Sequence, residues 1–573
     1  MTDMRRTLLW VVFTMSLILL WDAWNRHTGR PTLFGGPPPA AQAPAPEPPA
    51  VDPAVVAAGA GVPQPTVEAP AGVPAPVAAA MPTPAAGLPA AAAPAVTADL
   101  VTVTTDVLKL SFDTRGGDLV RAELLAHRHQ VDPARNVLLF DRSPERLYVA
   151  QTGLITPRAG VLLPNHLTQM TVAPGPRELA EGRDTLELRF ESPEVGGARL
   201  VKTYSIARGS HTLRVRHEVV NVTTEPIEPQ LYVQLARDGN PAAGQSWFYF
   251  TFTGPALFTQ EGRYQMVAPE DIRRGSTNHV RSADNGWIAM VEHYFGSAWL
   301  LPEGTAREFR TARVSDNFYS IAMVVPLGEL AAGASRVHEA TLFVGPLEER
   351  RLAALAPGLD LLKDYGWFTM LSKPLFWLLY ELNRIIGNWG WSIVALVFLL
   401  KIAFYWLNAA AYRSMAKMKA VGPRMMEMRE RLKDKPQLLQ QEMMKLYREE
   451  KINPLGGCLP ILVQMPFFIA LYWVLLSSVE MRNAPWILWI DDLSALDPYF
   501  ILPVLMALST LFQTWLNPTP PDPMQAKLMW IMPMVFSIFF FFFPAGLVLY
   551  WLTNNILSIA QQWYINKKLG VYK

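Results

Sequence analysis

The stretch LVFLLKIAFYWL, Leu396–Leu407, is apolar or aromatic at every position except Lys401. Runs this dense belong to buried or membrane-spanning helices, and a lysine inside one is costly. The surrounding run, residues 389–410, is long enough to cross a bilayer, for which about 20 apolar residues suffice. On that reading Lys401 lies close to mid-membrane, where a charge costs on the order of 3 kcal/mol. Snorkelling is one escape, but the next basic residue, Arg413, is roughly 18 Å further along the helix, about three times the reach of a lysine stem. Lys401 is therefore expected to face water or a polar partner inside a bundle. The alternative is a lysine satisfied by backbone carbonyls and waters with no further role.

Other apolar runs at residues 7–24, 456–479, 498–516, 528–543 and 546–564 also qualify as spans. Residues 528–543 are short and carry Pro533. They form a hairpin with residues 546–564, broken at Pro544-Ala545-Gly546. The first run follows Arg5 and Arg6 and ends in Trp21-Asp22-Ala23-Trp24-Asn25, a poor cleavage site, so it reads as an uncleaved anchor rather than a signal peptide. Basic residues from Arg413 to Lys451 fill the loop after residue 410, whereas residues 480–497 contain only Arg482 among several acids. The tail carries Lys567, Lys568 and Lys573. Positive loops stay inside. The expected layout is six spans, both termini cytoplasmic, and residues 25–365 outside the inner face.

The chain has 573 residues, 50% of them hydrophobic, a net charge of +2 and one cysteine. The charge gives no reason to expect a DNA partner. A lone Cys458 excludes an intramolecular disulfide, so an exported part must rest on an ordinary core. Residues 35–97 are nearly all Pro and Ala and cannot offset chain entropy by burial, so they read as an extended linker. From residue 98 to 345 the period changes to two. Thr185-Leu186-Glu187-Leu188-Arg189-Phe190-Glu191 alternates cleanly, and Gly116-Gly117, Gly196-Gly197 and Arg208-Gly209-Ser210 are turn signals. These features predict a large antiparallel β-sandwich. His127, His129, His211, His217 and His293 are scattered through it without metal-ligand spacing, so they are expected to be structural. No HExxH, GxSxG or Walker A sequence occurs, and no enzyme activity, catalytic residue, metal or cofactor is expected.

Two amphipathic pieces flank the second span. Residues 365–387 recur in apolar character at three and four, with Lys373, Glu381 and Arg384 between; they read as a helix in the outer interface, or else as a cap on the sandwich. In the basic loop Met415, Met418, Met425, Met428 and Leu432 share one helical face. Lys435-Pro436 breaks the helix, and Leu439, Met443, Leu446 and Tyr447 form a second face. The result is a helical hairpin, residues 412–451. Its methionines either pack the hairpin against itself, the favoured reading, or form a soft docking surface.

Polar residues in the other spans are Gln464, Ser509, Gln513, Ser537, Thr553, Asn554 and Asn555, none of them a carboxylate. An unpaired cation among amides and hydroxyls suggests a wet cavity that receives polar or acidic stretches.

The motifs NWGWSIVALVFLLK (388–401), YRSMAKMKAVGPRMMEMRERL (412–432), EEKINPLGGCLPILVQMPFFIALY (449–472), DPMQAKLMWIMP (522–533) and FPAGLVLYWLTNN (543–555) closely resemble the YidC family of bacterial membrane protein insertases, and the resemblance covers the whole chain in order. It implies a multi-domain membrane protein: an anchor (1–25), a linker (26–97), a periplasmic β-supersandwich (98–350), an interfacial helix (360–387), a five-span insertase core (388–566) and a short basic tail (567–573). It implies a hydrophilic groove whose charge is typically arginine, here Lys401, with Gln464, Ser509, Gln513, Asn554 and Asn555. Lysine keeps the charge but loses the bidentate fork. Val397 occupies a site that can be polar in relatives. It implies a greasy slide of Phe467, Phe468, Leu471, Tyr550 and Trp551, the last matching a common tyrosine. The implied partners are nascent membrane proteins, membrane lipids, the Sec translocon and the ribosome, the last weakly because the tail stops at Lys573. The protein is expected in the inner membrane, active as a monomer. A secondary transporter and a structural scaffold are the rival classes.

Overall fold

In the computed structural model, the described residues are 99–568, except 130–131, 133, 159, 242–250, 433–434, 451–458 and 518–522. The expected anchor and linker, residues 1–97, lie outside them.

Alternation along the chain becomes two stacked sheets. Thr185–Glu191 buries every second side chain, Leu186, Leu188 and Phe190, and Thr212–Asn221 does the same. Such period-two strands bury one face and solvate the other. Two nine-stranded sheets result between Leu100 and Pro346. In the first, Gln230–Asp238 pairs antiparallel with Leu147–Ile155 and Phe318–Pro326. In the second, Thr212–Asn221 lies antiparallel between Ala198–Ala207 and Ser335–Pro346. The two faces share one core that includes Leu110, Phe112, Phe190, Tyr204, Leu235 and Trp299. The glycine turns fall where the sequence puts them. Gly196 has φ +59°, and a Cβ there would meet the Leu162 carbonyl oxygen at 2.0 Å, so only glycine fits.

The helices follow in chain order: α1 (Pro269–Arg274), α2 (Glu349–Leu355), α3 (Thr369–Ile386), α4 (Trp389–Ala403), α5 (Tyr405–Arg431), α6 (Pro436–Glu449), α7 (Leu459–Ser477), α8 (Ile501–Leu516), α9 (Pro523–Phe539) and α10 (Ala545–Lys568). A second core joins α3, α4, α7, α8 and α10 through Leu379, Leu396, Leu471, Val474, Met506 and Val548. Around it, α8 and α9 leave Leu508, Phe512, Trp515, Ile531, Val535 and Ile538 exposed, an apolar surface that water does not favour.

The single helix expected over residues 389–410 is broken. α4 ends at Ala403, and the chain turns by 65° into Tyr405–Ser414 of α5. No proline or glycine marks the bend; it falls where Phe404 packs edge-on against Phe467, with ring centroids 4.9 Å apart. Among the described residues no single helix is long and apolar enough to cross a membrane, although this bent pair passes by length and composition.

α3 is not simply a surface helix. It buries Ser372, Leu375, Phe376 and Leu379 against the core while exposing Met370, Trp377 and Ile385. The segment before it ties the sandwich to the helices. Lys363 is buried, pairs with Glu480 at 3.0 Å and stacks its ammonium 3.7 Å over the Phe376 ring. Arg482 donates to the Arg128 carbonyl at 2.8 Å and stacks on Tyr294 and Phe295.

Candidate functional site

Three helical stripes converge on one recess. Val397, Leu400, Lys401 and Phe404 follow one face of α4 and its C-terminal cap. Gln464, Phe467 and Phe468 follow one face of α7, and Tyr550 and Asn554 one face of α10. Residues three and four apart share a helix face, which is why these meet. The enclosed space is about 20 Å³, within a recess of about 320 Å³ that includes its open mouth. That enclosed volume has room for about one water. Phe404, Phe467 and Phe468 line this small enclosed space together with Lys401.

The bend moves Lys401 from the middle of a span to the last turn of α4. There the helix C-terminus favours a cation, because its free carbonyls carry partial negative charge. The Lys401 Nζ donates to Ser558 Oγ at 2.7 Å, and Ser558 Oγ donates to the Asn554 carbonyl at 2.7 Å. Among the described residues Lys401 forms no ion pair with a carboxylate. Beside it, Gln464 Nε2 donates to Asn408 Oδ1 at 2.6 Å.

The expected groove set divides. Lys401, Gln464 and Asn554 line the recess. Asn555, about 100° further round α10, instead donates to Thr510 Oγ1 at 2.9 Å and Ser509 Oγ at 3.3 Å in the α8–α10 contact. Gln513 is half-buried on α8 and does not line the recess. Ser558 and Asn408 were not singled out from the sequence. Ser558 could have been found, since it sits one turn beyond Asn554 in the same apolar run; Asn408 lies past the unforeseen bend.

The slide residues form one aromatic group. Phe468 stacks on Trp551 at 5.9 Å and 18°, and Tyr550 lies 6.1 Å from Phe468. Leu471 and Tyr550 are buried, so Phe467, Phe468 and Trp551 are the half-exposed members. In the hairpin, Met425 is buried with Val421 and Leu446, and Met418 and Met428 pack against the same cluster. These three are spent on joining α5 to α6 and are not a free docking face. The exposed methionines are Met426 and Met444. The Met415 side chain lies outside the described residues.

The sandwich holds a polar centre that the alternation pattern hides. Lys202 is fully buried, donating to the carbonyls of Gly116 and Thr152 at 2.5 and 2.7 Å and facing Asp118 at 3.3 Å. His217 contacts Thr152 Oγ1, and His166 Nδ1 lies 2.7 Å from the Tyr232 hydroxyl. Burial, then the Lys202 charge, pulls His166 down to about 3. Burial pulls His127, His211 and His293 down to about 4. No group of three His, Cys, Asp or Glu among the described residues could hold a metal.

With this geometry in hand, two family descriptions match the chain: YidC periplasmic domain over residues 100–378 and 60Kd inner membrane protein over residues 381–571. The sandwich and the helical region are thus the two parts of one insertase class. A relative named membrane protein insertase YidC from Janthinobacterium sp. (strain Marseille) is 49% identical, covering 99% of this chain and all of its own. One of the same name from Cupriavidus metallidurans is 52% identical over 99% and 98%. A crystal structure of an active YidC insertase aligns at 20% identity and TM-score 0.38, covering 81% of this chain and 92% of that one. The chain belongs to the YidC family of membrane protein insertases.

Proposed function

We propose that this chain inserts and chaperones integral membrane proteins in the inner membrane, with Lys401 as the cation that receives a client's polar end. It is an insertase, not an enzyme; no bond is made or broken. The observation that carries the reading is a half-buried ammonium held by a serine hydroxyl, with no carboxylate paired to it among the described residues. Such a charge keeps attraction to spare for an acidic or polar flank.

A nascent apolar segment arrives near the hairpin, and its flank enters between α4, α7 and α10 as the aromatic ring wall parts. The segment then leaves past Phe467, Phe468 and Trp551 into lipid, driven by burial of apolar surface and by membrane potential acting on charge. α8, with 16 residues, spans about 24 Å, short of the roughly 30 Å hydrocarbon core. A thinned bilayer around such short helices lowers the cost of moving the flank.

The topology that fits is six spans with a five-span core, both termini cytoplasmic and the sandwich periplasmic, the bent α4–α5 pair supplying the second span. The domain divisions are those the sequence suggests: anchor 1–25, linker 26–97, sandwich 98–350, interfacial helix 360–387, core 388–566 and tail 567–573. Nascent membrane proteins are the clients; the Sec translocon and the ribosome are the proposed partners of a monomer.

Complementation of a depleted strain tests this. Lys401→Arg keeps insertion of small single-span clients, Lys401→Ala weakens it, and Lys401→Glu abolishes it. Normal insertion by Lys401→Glu refutes the electrostatic role. Deleting residues 103–341 leaves most insertion intact, whereas a scaffold would lose its activity.

A further inference from the structure

We infer that Ser558 is a positioning residue: its hydroxyl fixes the Lys401 ammonium at the wall of the recess, with donors left over for an acidic client flank. The inference rests on the reading of Lys401 as the client-facing cation.

Two bonds set the hydroxyl's direction. Its proton goes to the Asn554 carbonyl one turn back, at 2.7 Å, as serines inside helices often do. Only lone pairs then face α4, and Lys401 Nζ donates into them at 2.7 Å. This one oxygen thus ties α4 to α10. An ammonium has three donors and no planar fork to define its direction. One donor committed to a fixed acceptor turns a swinging charge into an aimed one. The recess wall beside it is Asn554, Gln464 and aromatic rings, which hold no competing negative charge. The client chemistry that such an arrangement selects is a short flank carrying Asp or Glu.

The test uses the full-length protein in proteoliposomes and two single-span clients that differ only in the flank, one with Asp and one with Asn at the same positions. Ser558→Ala is expected to lower insertion of the Asp client by about three- to tenfold and of the Asn client by under about twofold. Ser558→Thr, which keeps the hydroxyl, restores the Asp client. In a Lys401→Ala background Ser558→Ala has no further effect. Equal losses on both clients, failure of Ser558→Thr to restore, or continued loss in the Lys401→Ala background overturns the inference and leaves Ser558 a packing residue. A preference for the Asp client that survives Lys401→Ala instead overturns the reading of Lys401.

Discussion

The Trp486 indole lies so close over Gly390 that a β-carbon on Gly390 would meet its Cδ1 at 2.2 Å. This contact seats the first turn of α4 against the loop between α7 and α8. Asn388 adds to it, capping Trp391 N–H at 3.1 Å and donating to the Pro485 carbonyl at 3.1 Å. Gly390→Ala is expected to cost about 1–3 kcal/mol through overpacking. Thermal unfolding in detergent checks this, and Trp486→Ala in the same chain should recover part of the loss. An unchanged midpoint for Gly390→Ala contradicts the contact.

Lys363 and Glu480 join the sandwich to the helices. Glu480→Gln strands a buried ammonium and is expected to destabilise by about 3–5 kcal/mol. Replacing both, as Lys363→Met with Glu480→Leu, should be milder than either single change, since apolar pairs of similar volume often substitute well for a buried ion pair. Limited proteolysis of the segment between Pro346 and Thr369 reports the outcome. Additive losses in the double variant argue against a coupled pair.

The hairpin separates packing methionines from exposed ones. Met425→Ala removes a buried side chain from between α5 and α6 and should cost about 2 kcal/mol or more. Met426→Ala, at 58% exposure, should stay within about 0.5 kcal/mol. Hydrogen exchange over residues 436–449 distinguishes them: faster for the first variant, unchanged for the second.

The sandwich is expected to weaken in acid. His166 holds its proton-binding value at about 3 in the fold against 6.5 in the unfolded chain. Below about pH 6.5 the unfolded state therefore takes up a proton that the fold refuses. Stability present above that pH is lost as pH falls toward 3, at up to about 1.4 kcal/mol per unit. His127, His211 and His293 act in the same direction down to about 4. Asp118, raised to about 6 by burial against the opposing pull of Lys202, acts oppositely between about 6 and 3.8. Four histidines outweigh one aspartate. Unfolding of the full chain, followed by the buried Trp287 and Trp299, should have a midpoint several degrees lower at pH 5 than at pH 7.5; a flat midpoint removes the assignment.

Much of the molecule is legible in the order of residues. Alternation over residues 185–191 and 212–216 fixed which side chains face the sandwich core, because period two admits only one burial face per strand. Paired glycines marked turns whose positive φ excludes a Cβ. The apolar runs located the helices α4, α7, α8, α9 and α10, and Lys401 stood out against its neighbours by charge alone. The buried Lys202–Asp118 centre did not, since a lysine in an alternating strand reads as solvent-facing until the opposite sheet supplies its carbonyls.

Sequence by itself determined the two-part architecture and the identity of the odd cation, for both follow from periodicity and polarity along a single chain. Tertiary packing decided where that cation sits and what it touches. The turn at Phe404 has no proline or glycine to announce it, and the separation between residues 401 and 558 along the chain conceals a hydrogen bond. Contacts between helices distant in sequence set both, and local pattern carries no record of them.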